Sequence, residues 1–291
     1  MLVSVIIRTY NEERYLAEVI SAIKSCPNFN SEIIIVDSGS SDRTIQIAQK
    51  HEAKVLHIRK EDFSFGRSLN VGCKAAQGEI LVFLSGHCIP ETKKNYLDFL
   101  VAPFADPEVA VTYGRQVSGG QSRFSEGRVF AKYYPQNQPS QGPAFCNNAN
   151  SAVRKAIWNR FKYDETLTGL EDLAFGKKVT ESGFRIAYCP EAVVYHLHHE
   201  SWAQIRRRYE REAIALRHIE PSLSLSLIDA AFYFMTACCF DVFASIRAKR
   251  GISLAREIFY YRFNQFIGSW LGSRFHRELS SKEKSVYFFP A

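Results

Sequence analysis

The sequence predicts an α/β chain: a doubly wound, mostly parallel sheet followed by a helical C-terminal extension. Three observations lead there. Short apolar runs alternate with amphipathic stretches from residue 3 to residue 84, the order of a parallel sheet with crossover helices. Polar turn residues close the runs, at Thr9-Tyr10-Asn11, Asp37-Ser38 and Ser85-Gly86-His87. After Glu200 the composition turns basic and aromatic-rich, with no strand pattern. The expected division is therefore 1–200 and 201–291.

The elements follow in order. Residues 3–7 form an apolar strand. A helix follows with Tyr15, Leu16, Val19, Ile20 and Ile23 at helical spacing. Residues 32–36 are a second buried strand, and Ser41 or Asp42 can cap a helix over 44–51. Residues 54–58 make a third strand, 68–77 a helix stopped by Gly78, and 79–84 a fourth strand. Residues 91–104 read as helix and 109–113 as strand. From 114 to 145 the chain is rich in Gly, Ser, Gln and Pro, including Pro135-Gln-Asn-Gln-Pro139, and reads as one long irregular excursion. A strand over 150–153, a helix near 155–159, a helix over 171–182 and short strands at 184–188 and 192–195 complete the first segment.

The chain has 291 residues, 46% hydrophobic and 23% charged, which excludes disorder, collagen and coiled coil as whole-chain descriptions. Its net charge of +7 is uneven: residues 1–200 carry +1 and residues 201–291 carry +6. A basic terminal segment points to phosphate-rich material. Seven cysteines at irregular spacing, with no CxxC pair, argue against a disulfide framework and for a reducing cytoplasm. No signal peptide is visible at the N-terminus. The most apolar run, 223–246, carries Asp229 and Asp241 and reads as a buried helix or one lying in a membrane interface.

Four strings in order then resemble one family. Val3-Ser-Val-Ile-Ile-Arg-Thr-Tyr-Asn-Glu12 resembles the opening of family 2 glycosyltransferases of the GT-A fold. Ile34-Ile-Val-Asp37-Ser-Gly-Ser-Ser-Asp42 is similar to their second-strand signature. Thr168-Gly-Leu-Glu171-Asp172, then Tyr188-Cys-Pro190 with Val193-Val-Tyr-His196, resemble their acceptor-side and closing motifs. The resemblance covers residues 3–200. It implies a GT-A-like sheet and an inverting transfer of a hexosyl or deoxyhexosyl group. The donor it implies is a nucleoside-diphosphate sugar, and the acceptor a glycan or lipid-linked molecule of surface polysaccharide synthesis.

By that resemblance Asp37 faces the donor's base, with Thr9, Tyr10 and Glu12 as the nearby wall; the residues alone equally allow an Asx-type turn. Asp172 is implied as the base that deprotonates the acceptor, with Glu171 in support; without the resemblance, both acids read as helix caps. Arg67, near a helix start, is placed to contact phosphate. Cys146-Asn-Asn148-Ala-Asn150 is a candidate lining of the acceptor cleft.

The informative departure is Ser85-Gly86-His87, where family members carry Asp-x-Asp. The related mucin-type polypeptide N-acetylgalactosamine transferases use Asp-x-His, whose His ligates metal. His87 is similar in position, and Ser85 retains a hydroxyl for ribose. His196-Leu-His198-His199 supplies further candidate ligands, His198 sharing a strand face with His196; as a lone string it also reads as a surface cluster. The resemblance implies a divalent metal, Mn or Mg, while imidazole also suits Zn or Co. If metal binding is lost, Arg and Lys must neutralise the diphosphate. The missing Asp-x-Asp also motivates an alternative: a non-catalytic binding protein that kept the fold.

The basic extension interleaves arginines with aromatics, which suits an anionic membrane surface, on the inner face of the membrane, or a homodimer contact. Nucleic acid ranks below both.

Overall fold

A computed structural model describes residues 1–91, 95–120, 122–137, 141–274 and 279–289. Of the helix expected over 91–104, residues 92–94 lie outside the described residues, as do residues 138–139 of the Pro135 stretch. The chain forms two compact units: residues 1–119, 132–166 and 171–197, and residues 120–131, 167–170 and 198–291. The second thus includes residues 120–131, 167–170 and 198–199, which lie before residue 200.

The first unit holds a mixed, mostly parallel sheet. Its strands are β1 (Leu2–Thr9), β2 (Asn30–Asp37), β3 (Lys54–His57), β4 (Ile80–Ser85), β5 (Cys88–Pro90), β6 (Val109–Ser118), β7 (Asn150–Arg154) and β8 (Arg185–His196). Their order across the sheet is β3-β2-β1-β4-β7-β6-β8-β5. The first four run parallel. β7 is antiparallel to both neighbours, β6 and β8 run parallel, and β5 is antiparallel to β8.

The helices are α1 (Leu16–Lys24), α2 (Thr44–Lys50), α3 (Phe65–Ala75), α4 (Tyr96–Val101), α5 (Phe124–Tyr133), α6 (Lys155–Phe161), α7 (Glu171–Glu181), α8 (Trp202–Ile219), α9 (Leu227–Arg247), α10 (Ala255–Ser273) and α11 (Ser281–Phe288). β1 is buried on both faces, with Val3, Val5, Ile6 and Ile7 all at 0% exposure, as expected of a strand covered by helices on both sides. α1 buries Leu16, Val19, Ile20 and Ile23, each worth about 1.5–3 kcal/mol of transfer from water. α3 starts three residues earlier than its periodicity predicts, because Ser64 caps it by accepting from the Arg67 N–H.

Three differences from the sequence reading have physical causes. The two short strands expected at 184–188 and 192–195 are one strand, β8. Pro190 removes a donor, and the ladder with β6 shifts register between Cys189 and Val194 instead of ending. The excursion after residue 114 contains the rest of β6 and then α5, whose helical spacing is masked by Gly and Ser. β5 is three residues long, too short for periodicity to signal.

In the second unit α8 and α10 pack closely. A Cβ on Gly268 would lie 2.4 Å from the Arg206 carbonyl oxygen, and one on Gly272 2.2 Å from that of Glu210. The i, i+4 glycine pair removes side chains where the backbones meet.

Candidate active site

The carboxyl ends of β1, β2 and β4 lie side by side, pairing Thr9 with Asp37 and Arg8 with Ser85. Ligands in open α/β sheets bind outside such ends. Asp37 is fully buried. Its carboxylate accepts from Thr9 Oγ1 at 3.1 Å, from the N–H groups of Gly39 and Ser40 at 2.9 and 3.0 Å, and from Ser40 Oγ. The carboxylate is occupied in building the turn after β2. The Asx-type reading thus describes its present bonds.

The turn is stitched to the loop after β1. Asn11, at φ 55°, accepts from the Ser41 N–H at 2.8 Å and donates its own N–H to Ser40 Oγ at 2.9 Å. Tyr10 meets Lys60, whose ammonium lies 3.0 Å from the phenol oxygen and 4.7 Å from the ring centroid.

Glu12 turns the other way, toward β4. Its Oε1 accepts from His87 Nδ1 at 2.7 Å. Gly86 permits this, since a Cβ there would lie 2.8 Å from Glu12 Cγ. The His87 ring stacks on His196 with centroids 5.1 Å apart and planes 30° from parallel. His196, buried at the end of β8, contacts Gln116 Oε1 through Nδ1 at 2.7 Å.

The second cluster forms at the start of α7. Glu171 Oε1 bonds Arg8 at 3.1 Å. Asp172 accepts from the N–H groups of Asn148 and Leu173 at 3.1 and 2.8 Å. Burial, then repulsion from Glu171, pushes the Asp172 carboxyl up to about 7, against the pull of its two N–H donors and Arg8. A carboxyl poised there exchanges protons near neutrality. Asn148 Nδ2 is buried without a hydrogen-bond partner.

Sequence reasoning placed Thr9, Tyr10 and Glu12 beside Asp37, His87 with His196, and Glu171 with Asp172. The structure keeps Thr9 on Asp37, His87 on His196 and Glu171 next to Asp172, but turns Glu12 away from Asp37 to His87. Ser85 is half-buried at the end of β4. Arg67 stands apart on the first turn of α3, half-exposed, 3.9 Å from Asp62 and 4.0 Å from Glu165. His198 does not continue the strand face as expected, because β8 ends at His196. It belongs to the second unit, where its Nδ1 lies 2.7 Å from Glu126 Oε1. Glu126, His198 and Glu200 offer ligand atoms within 4.8 Å of one another, yet Arg208 already pairs with both carboxylates, at 3.2 and 2.8 Å.

Three contributors were missed: Arg8, Lys60 and Gln116. Arg8 lay inside a quoted string without a role. Gln116 sits where no local pattern marks it; only the pairing of β6 with β8 brings it to His196.

The profile for Glycosyl transferase family 2 matches residues 4–167. The O-antigen chain rhamnosyltransferase RfbN of Salmonella typhimurium is 26% identical over 222 residues, 72% of this chain and 70% of that protein. The poly(ribitol-phosphate) beta-N-acetylglucosaminyltransferase TarS of Staphylococcus aureus is 32% identical over 67% of this chain but only 35% of its own length. Among solved structures, the mannosyltransferase PcManGT from Pyrobaculum calidifontis, in complex with GDP-Man and Mn2+, superposes with TM-score 0.63 at 17% identity, over 93% of this chain and 86% of that one. At that identity the likeness establishes the fold.

Proposed function

The chain belongs to glycosyl transferase family 2, and from that premise we propose that it transfers a sugar, with inversion, from a nucleoside-diphosphate sugar to a glycan or lipid-linked acceptor of surface polysaccharide. The O-antigen rhamnosyltransferase and TarS similarities support the acceptor class. They favour a hexosyl or deoxyhexosyl donor. The seven cysteines are all free, which fits a reducing cytoplasm.

The observation that carries the reading is Asp172. Its buried carboxyl, raised to about 7 beside the Glu171–Arg8 pair, takes the acceptor hydroxyl proton as that oxygen bonds the anomeric carbon. The bond from that carbon to the diphosphate breaks, and the electron pair leaves with the phosphate. Glu171 and Arg8 keep the carboxyl in place and set its acidity. Lys60 at Tyr10 adds a cation beside the β2 turn.

The donor set fits a divalent cation. In each imidazole Nδ1 is held by an acceptor, Glu12 or Gln116, which assigns the ring lone pair to Nε2. A ligating His held by an outer acceptor is the usual arrangement around metals. His87 and His196 would hold the ion, and when bound it supplies charge neutralisation for the departing diphosphate.

The test is calorimetry with UDP, GDP, dTDP and CMP, with and without Mn2+ or Mg2+, followed by transfer assays with the sugar forms of those that bind. Metal-dependent nucleotide binding with transfer is expected. Failure to bind any nucleotide, or to transfer or hydrolyse any donor, would leave the non-catalytic alternative standing.

A further inference from the structure

The second unit carries an apolar surface that its own packing leaves uncovered. In α9, whose most apolar window has mean hydropathy 1.6, only 11% of that window is buried. Its inward side is Ala230, Asp241 and Ser245. Its outward side presents Ile228, Phe232, Met235, Cys239, Phe243 and Ile246, spaced by three or four residues and all exposed. Such spacing makes one continuous stripe. Ile252 and, on α10, Phe259 and Phe263 are also exposed, and Phe234 joins the helices by packing edge-on against Phe259 at 5.4 Å. An apolar stripe of this extent is rare on a surface that meets only water.

Charge selects the occupant. Residues 247–256, which link α9 to α10, contain Arg247, Lys249, Arg250 and Arg256 and no acid. All four cations are exposed. An apolar stripe ending in a cationic cluster complements acyl chains beneath anionic headgroups.

Asp241 decides the pose. It is 2% exposed and bonds Arg262 on α10 at 2.7 Å, with Arg128 of α5 at 3.4 Å. A spanning helix would take this cluster into hydrocarbon or break it, and both are costly. A helix lying in the membrane plane keeps the cluster on its protein side. We propose that the stripe from Ile228 to Ile246, with Phe259 and Phe263, docks the chain flat on an anionic lipid bilayer. Docking holds whether or not Asp172 transfers sugar.

The test is flotation of the full chain with phosphatidylcholine vesicles, with or without a minority of phosphatidylglycerol. The wild type is expected to float with the anionic vesicles, on the order of ten-fold better than with neutral ones, and to be released by alkaline carbonate. Phe232→Ser/Phe243→Ser should lose flotation. Lys249→Glu/Arg250→Glu should fall to the neutral-vesicle level. Both pairs are exposed, so unchanged circular dichroism is expected. Several results would overturn the proposal: no flotation of the wild type, a phenylalanine variant that floats like it, or retention after carbonate, which indicates a spanning helix. A vesicle-indifferent dimer that the phenylalanine variant dissociates would likewise assign the stripe to a second copy.

Discussion

His196 Nδ1 lies 2.7 Å from Gln116 Oε1, and the orientation of that amide is fixed by a donor two bonds away. The Ala149 N–H donates to Asn147 Oδ1 at 3.0 Å, and Gln116 Nε2 donates to the same oxygen at 3.1 Å. Gln116 therefore presents its carbonyl to the imidazole, Nδ1 carries the proton, and the lone pair sits on Nε2. Replacing Gln116 by Leu removes the acceptor. The Mn2+ concentration for half-maximal transfer should rise on the order of 10–100-fold, while Gln116→Glu, which still accepts, should recover much of it. An unchanged metal titration in Gln116→Leu would remove His196 from the metal site.

Asp37 accepts from Thr9, Gly39 and Ser40 with both oxygens. Asn at this position keeps the size but turns one acceptor into a donor facing donors. A cost of roughly 1–3 kcal/mol follows from the unsatisfied groups. Thermal melts of Asp37→Asn should show that loss without any ligand. Nucleotide calorimetry separates the roles: if the carboxylate only builds the turn, affinity falls no more than the turn's disorder requires.

Arg8 bonds Glu171 in a nearly buried pair and pulls the Asp172 carboxyl down. Arg8→Met leaves Glu171 without that partner, costing roughly 3 kcal/mol. It also lets Asp172 hold its proton to higher pH, so the acid limb of the rate profile should move to more alkaline pH. A profile that stays in place, with only the melting temperature lowered, would make Arg8 structural.

Much of this site was legible because it is local. Asp37, Glu12 and Asp172 each sit where a strand stops or a helix starts, and those boundaries are written in apolar periodicity and turn residues. Arg8 and Gln116 were not legible. Their roles come from contacts distant in sequence, Arg8 of β1 with Glu171 of α7 and Gln116 of β6 with His196 of β8, which no window of sequence contains. The strand face expected to run from His196 to His198 was over-read for the converse reason: period two holds only while the strand continues, and β8 stops at His196. The apolar run near residue 223 left two readings open, and exposure along α9 decides against the buried helix.

Asp172 sets function against stability. An exposed aspartate titrates near 3.8, while burial and Glu171 raise this one to about 7. The folded state therefore binds the proton more tightly than the unfolded chain. Its contribution is fully present below 3.8 and is lost as pH rises through about 7. At the pH where the base works, the ionised carboxylate is thus a net cost, at most about 4 kcal/mol at 1.36 kcal/mol per unit. Asn cannot ionise but gives up one of the acceptors now serving Asn148 and Leu173, which returns about 1 kcal/mol. Asp172→Asn should therefore melt higher than the wild type above neutral pH and converge with it in acid. Transfer should fall by roughly 10²–10⁴-fold, with nucleotide affinity unchanged. Full transfer activity in Asp172→Asn would end the base assignment, and equal melting temperatures at alkaline pH would show that the carboxyl is not raised.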